Sequence, residues 1–108
     1  MGELVNPDET ATLKVSVDPS GTPILKVTGE LDLSSVGPIY SAIEPVLATR
    51  PDHIVFDLSE LRFMDSSGLR IFLSVADQIA EVELRDPSPT VRKVIELTGT
   101  SGAFTLNP

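Results

Sequence analysis

Chemistry in this sequence concentrates in the stretch Phe63-Met64-Asp65-Ser66-Ser67-Gly68-Leu69. Three small polar residues follow an apolar pair and precede a run of helical periodicity, so Asp65 and the two serines stand where a helix should begin. Asp and Ser are preferred N-caps, because their oxygens accept hydrogen bonds from the unpaired N–H groups of a first turn. Capping alone would account for the triplet. The same physics permits a second use. A helix start carries the positive end of the macrodipole and tolerates a phosphate. Phosphorylation of Ser66 or Ser67 would therefore spare the fold while adding roughly two negative charges to the surface. A partner docking there would be repelled, which makes an off-switch rather than an active site.

Other residues offer weaker chemistry. Asp57 ends an apolar run and could act as a phosphoacceptor, as in receiver domains. That use needs an acidic pair after the first strand and a lysine after a late one. Here Asp18 is followed by Pro19, and the late lysine, Lys93, falls in a helical run. A structural hydrogen bond at a turn is the better reading of Asp57. His53 is the single histidine, and its place beside Asp52 at a strand start favours a structural role. No Gly-x-Ser-x-Gly elbow is present, and the carboxylates lack metal-site spacing. Arg85, Arg92 and Lys93 form a small basic group read as a solvated face. No catalytic residue, metal or cofactor is expected.

Composition agrees with a soluble globular protein. The chain has 108 residues, the size of one domain, and 41% of them are hydrophobic, enough for a core. With no cysteine, disulfides and thiolate chemistry are excluded. The net charge of −8 disfavours direct nucleic-acid binding; it suits a partner with a basic patch, or is simply the acidity common among cytosolic proteins. Met1–Thr10 carries acids and no basic residue, unlike a signal peptide. No apolar run approaches the ~20 residues of a membrane span. A cytoplasmic monomer is the simplest expectation.

The elements that must position Asp65–Gly68 follow from periodicity. Thr12–Val17 alternates as a strand, Asp18-Pro19-Ser20-Gly21 is a turn, and Ile24–Thr28 completes an antiparallel hairpin. After Gly29-Glu30-Leu31-Asp32, the stretch Leu33–Ala48 reads as mainly helical, capped by Ser34 or Ser35, with Pro45 expected to kink it or force an irregular turn. His53–Leu58 is an apolar run typical of a buried strand, and the helical crossover before it predicts parallel pairing. Ser59–Met64 reads as a link. The next helix should carry Leu69, Phe72, Leu73, Ala76 and Ile79 on one stripe. Ala80, Val82 and Leu84 suggest a strand. Ser88 caps a last helix with Pro89 in its first turn and Gly99 after its end. Thr100–Pro108 is a mostly polar tail, with Phe104 and Leu106 able to pack back. The whole predicts an α/β fold: a mixed sheet of about four strands with three or so helices.

The run Asp57-Leu58-Ser59-Glu60-Leu61-Arg62-Phe63-Met64-Asp65-Ser66-Ser67-Gly68-Leu69 resembles the signature of STAS domains of the anti-sigma factor antagonist family. Gly29-Glu30-Leu31-Asp32 resembles the motif after that family's second strand. Pro87-Ser88-Pro89 with Val91, Val94–Leu97, Thr98 and Gly99 resembles its last-helix segment. The resemblance spans about residues 10–100, within one STAS domain over 1–108. It implies a non-enzymatic module that binds an anti-sigma factor doubling as a serine-protein kinase, and so releases a sigma factor. It further implies that phosphorylation of Ser67, with Ser66 as second choice, ends that binding until a phosphatase reverses it. Asp32, Asp65, Ser66, Ser67 and Gly68 would form the docking face. STAS domains also serve sensory, transport and lipid-trafficking assemblies independently of phosphorylation, which is the alternative reading. Two departures stand out. Leu69–Asp86 is shorter than usual and lacks a glycine turn, which predicts a truncated helix or strand. Thr100-Ser101-Gly102-Ala103 replaces an apolar continuation.

Overall fold

A computed structural model describes residues 11–108. The reading of Met1–Thr10 lies outside the described residues. The elements are β1 (Ala11–Val17), β2 (Pro23–Leu31), α1 (Val36–Leu47), β3 (His53–Asp57), β4 (Leu61–Met64), α2 (Ser66–Ala76), β5 (Glu81–Arg85), α3 (Pro89–Leu97), a 3₁₀ turn (Ser101–Ala103) and β6 (Thr105–Asn107).

The strands form one sheet in the order β1-β2-β3-β5-β6, with β4 also paired to β2. Only β1 runs antiparallel to its neighbour; the remaining pairs are parallel. The hairpin turn is locked by the Asp18 carboxylate, which accepts from Ser20 N, Ser20 Oγ and Thr22 N. β2 is the organising strand. Its first half pairs with β3, its second half with β4, and the register shifts between Gly29 and Glu30. Gly29 takes φ +91° at that shift, a conformation side chains disfavour.

Alternation separates two faces. Leu25, Val27 and Leu31 of β2, Ile54 and Phe56 of β3, and Val82 and Leu84 of β5 share one face and are buried. They pack against Ile39 and Ile43 of α1, Leu69, Phe72 and Val75 of α2, and Val91 and Ile95 of α3. The Phe56 and Phe72 rings meet at 4.7 Å between centroids. Each such fully buried ring contributes roughly 1.5–3 kcal/mol by leaving water. All three helices thus cover one face. The other face presents Lys14, Lys26, His53, Asp57, Glu83 and Arg85.

The mixed α/β architecture is the expected one, and its sheet is wider by two short strands. β4 lies within the stretch read as a link, and β6 within the tail. β2 also continues through Gly29-Glu30-Leu31 rather than stopping at Thr28. α1 starts at Val36, directly after Ser35, one of the two expected cap positions, and continues through Pro45 to Leu47. α2 stops at Ala76, so Ile79 is buried from the following turn and not from the helix. β5 keeps five residues, so the shortened Leu69–Asp86 segment is accommodated by an early helix end. Ser88 caps α3 as expected, its Oγ accepting from Val91 N at 3.2 Å.

Candidate functional site

The parallel strands β2 and β4 end side by side, with Leu31 opposite Met64. Asp32 and Asp65 are the next residues of each. Asp65 N donates to Leu31 O at 3.3 Å, tying the two strand ends together. Sheet pairing therefore places the two acids, distant in sequence, at one end of the sheet.

Asp65 turns the chain into α2. Its backbone is extended, and its Oδ1 accepts from Ser67 N at 2.8 Å and Gly68 N at 3.1 Å. This is a full N-cap, worth about 1 kcal/mol. Ser66 is exposed and Ser67 half-buried. Among the described residues, neither serine hydroxyl has a hydrogen-bond partner. Gly68 is buried against Leu31 and Met64, so it shapes the face from beneath and offers no surface of its own.

Asp32 is held as firmly. Its Oδ1 accepts from Ser34 Oγ at 2.7 Å and Ser34 N at 3.0 Å. The Ser34 hydroxyl, chiefly, holds the Asp32 carboxyl below the usual carboxylate range, outweighing partial burial. Ser35, expected as a possible cap, sits at the N-cap position without capping through its side chain. Its buried Oγ instead donates to Glu30 O and accepts from Asp32 N, both at 3.0 Å. The β2–α1 link is thereby fixed.

Two residues at this end were not legible as site residues. Leu33 is 75% exposed and Phe63 42% exposed. Leu33 heads the stretch read as mainly helical but lies before the Ser35 cap position and outside α1, and Phe63 reads as part of a link. An apolar residue between an Asp and a serine pair, out of helical phase, is the signal that could have marked Leu33. The end of the sheet thus combines two acids, two serines and two exposed apolar side chains.

The competing residues lie elsewhere. Asp57 accepts from Ser59 N at 3.0 Å and closes the turn after β3. Burial raises its pKa, but the Ser59 hydrogen bonds, with Lys26 and Arg85, win and lower it. Asp18 is occupied by the hairpin turn. His53 sits on the helix-free face, its Nε2 3.6 Å from Glu83 Oε1. No group of three or more His, Asp or Glu among the described residues could hold a metal ion. No helix of the described residues is long and apolar enough to cross a membrane.

Residues 14–108 match the STAS domain family model. The anti-sigma-F factor antagonist RsfB of Mycobacterium tuberculosis is 34% identical over 64 residues, 59% of this chain and 52% of RsfB. The match therefore spans about half the length of that relative. The crystal structure of an anti-sigma factor antagonist from Mycobacterium paratuberculosis superposes with a TM-score of 0.85 at 31% identity, over 97% of this chain and 91% of that one. SpoIIAA in its unphosphorylated form gives 0.75 at 26% identity, over 90% and 89%. Its phosphorylated form, a Bacillus cell fate determinant, gives 0.67 at 25% identity, over 90% and 92%. With nearly the whole described chain matched, this protein belongs to the STAS domain family.

Proposed function

We propose that this chain is an anti-sigma factor antagonist whose binding is shut off by phosphorylation of Ser67. It is a binding module and not an enzyme. The observation that carries the reading is the placement of Asp65-Ser66-Ser67-Gly68 at the start of α2, beside Asp32 at the end of β2. The similarity to SpoIIAA, known in unphosphorylated and phosphorylated forms, supports it.

In this reading the partner is an anti-sigma factor that is also a serine-protein kinase, and a phosphatase resets the switch in the cytoplasm. Leu33 and Phe63 act as apolar anchors, while Asp32 and Asp65 give the face an acidic rim. Asp65 already occupies the N–H groups of Ser67 and Gly68. A phosphate on Ser67 would find those donors taken, so its charge would project outward beside a carboxylate. The added charge then opposes docking instead of being absorbed by the helix. Ser66 is the second-choice acceptor.

The test is to incubate the protein and its Ser67→Ala variant with ATP and source-organism lysate, and to map phosphate by mass spectrometry. Phosphate on Ser67, absent in the variant, is expected. Calorimetry with the anti-sigma factor recovered from that lysate should show Ser67→Asp at least tenfold weaker, about 1.4 kcal/mol, and Ser67→Ala unimpaired. Equal affinity of Ser67→Asp and wild type would rule out charge repulsion. No phosphate on any serine, with a control substrate labelled in the same lysate, would favour a phosphorylation-independent module.

A further inference from the structure

β1 has a neighbour, β2, on one side only among the described residues. The ladder fixes which way its backbone points. Pro23, which has no N–H, lies opposite Val17, and Asp18 N donates to Thr22 O at 3.0 Å. Hydrogen-bonded and non-hydrogen-bonded pairs alternate along an antiparallel ladder. Leu13, Val15 and Val17 therefore direct N–H and C=O away from β2, into the open edge.

The side chains of the same three residues lie on the helix-bearing face. Leu13 packs against the core, but Val15 and Val17 are 48% and 63% exposed. Exposed valines thus coincide with backbone that is unpaired among the described residues. Proteins usually blunt such an edge with charge or a bulge. Here Lys14 is the strand's one charged residue, and it belongs to the opposite face.

A second copy of the chain fits this edge. Ala11–Val17 contains no acid, in a chain whose net charge is −8, so two copies can meet here without opposing carboxylates. A two-fold axis through Val15 sets Val15 against its counterpart, Leu13 against Val17, and Lys14 against Ser16. Each outward-facing pair exchanges two backbone bonds, about six in all. An axis through Lys14 would oppose two lysines, and one through Ser16 would set Leu13 against Pro19, which has no N–H.

We propose that the protein forms a symmetric dimer by antiparallel pairing of two β1 edges about Val15, in place of the monomer suggested by size and acidity. The contact is isologous. One strand edge buries less than the ~800 Å² per partner of a stable interface, so association is weak and concentration-dependent. Self-repulsion of the acidic copies opposes it, so added salt strengthens it. The interface is independent of the switch at Ser67. Residues 15–17 pair with residues 23–25 of β2, at the far end of that strand from Asp32.

Sedimentation equilibrium on the full chain, from micromolar to millimolar and at low and high salt, tests this. Val15→Pro removes the outward N–H at the axis without touching the β2 ladder. Val15→Glu opposes two carboxylates there. Both variants should associate at least tenfold more weakly than wild type, and wild type should associate more at high salt. If Val15→Pro fails its thermal-melt control, Val15→Glu carries the comparison. A wild type monomeric across the range, or association unchanged in the folded variants, would overturn the proposal.

Discussion

Gly68 sets how closely α2 can approach the sheet. A Cβ built there would lie 2.6 Å from Leu31 O, 2.8 Å from Met64 Cγ and 2.9 Å from Leu31 Cγ. The nearest atom is backbone at a strand end and cannot swing aside. Gly68→Ala should push the helix start outward and cost about 1–3 kcal/mol. A urea titration should show a lower midpoint with an unchanged slope; an unmoved midpoint would show that the contact is relieved cheaply. The sequence places this glycine after an Asp-Ser-Ser cap but gives no reason for it, since glycine in a helix is ordinarily unfavourable by roughly 0.5–1 kcal/mol. The reason is a close approach to Leu31, far away in sequence. The two serines show the same limit. Their types mark a helix start, while which is exposed depends on how α2 lies on β2 and β4.

At the scale of elements, the pieces with strong local signals were legible: the β1–β2 hairpin with its Asp18 turn, the cap of α2, and the Ser88-Pro89 start of α3. The expected stripe of α2 held only in part: Leu69 and Phe72 are buried, but Ile71 and Val75 share the core with them, while Leu73 and Ala76 are only half-buried. β4 and β6 were not legible. β4 has four residues whose outer two are buried and inner two exposed, which is no period-two pattern. β6 has three residues and exists through parallel pairing with β5. Short strands of this kind are made by their neighbours and not by their own composition. Pro45 is the instructive case within α1. It removes an N–H and crowds the preceding turn, yet tertiary packing through Ile39 and Ile43 holds the helix to Leu47. Pro45 is itself exposed. Pro45→Ala should therefore raise stability by about 1–2 kcal/mol, after allowing for the looser unfolded chain. Differential scanning calorimetry would register this as a higher Tm, and a lower Tm would mean the ring packs usefully where it stands.

Across the whole molecule, the helix-free face gathers a charge network from three strands. Glu83 is 8% exposed, and its Oε2 accepts from Arg85 Nε at 3.0 Å and Asn107 Nδ2 at 3.1 Å. Burial pushes its carboxyl up, but the Asn107 and Arg85 hydrogen bonds outweigh that and hold it below the usual range. A carboxyl lowered in the folded state adds stability above its unfolded pKa, about 4.3. That stability is lost as pH falls through the lower, folded value. Asp32 and Asp57 act in the same direction. The urea midpoint should thus fall steadily as pH drops below about 4.3. Glu83→Gln should be less stable at neutral pH and show a shallower acid decline. Parallel declines in the two proteins would mean the Glu83 cluster contributes nothing to acid sensitivity. This cluster could not be read from sequence, because it depends on the register that sets Glu83 beside Val55 and Thr105.

The shared direction of β2, β4, β3 and β5 divides the molecule into two ends with different freedoms. Ser67, Asp32, Leu33 and Phe63 crowd the end where β2 and β4 finish. The opposite end holds an open groove lined by Tyr40, Leu47, Pro51, Gln78 and Ile79. There the α2–β5 turn exposes Asp77 and Gln78 to solvent. A reporter domain spliced between those two residues would ride on the fold without shadowing the proposed switch, making that turn the natural port for turning this protein into a sensor.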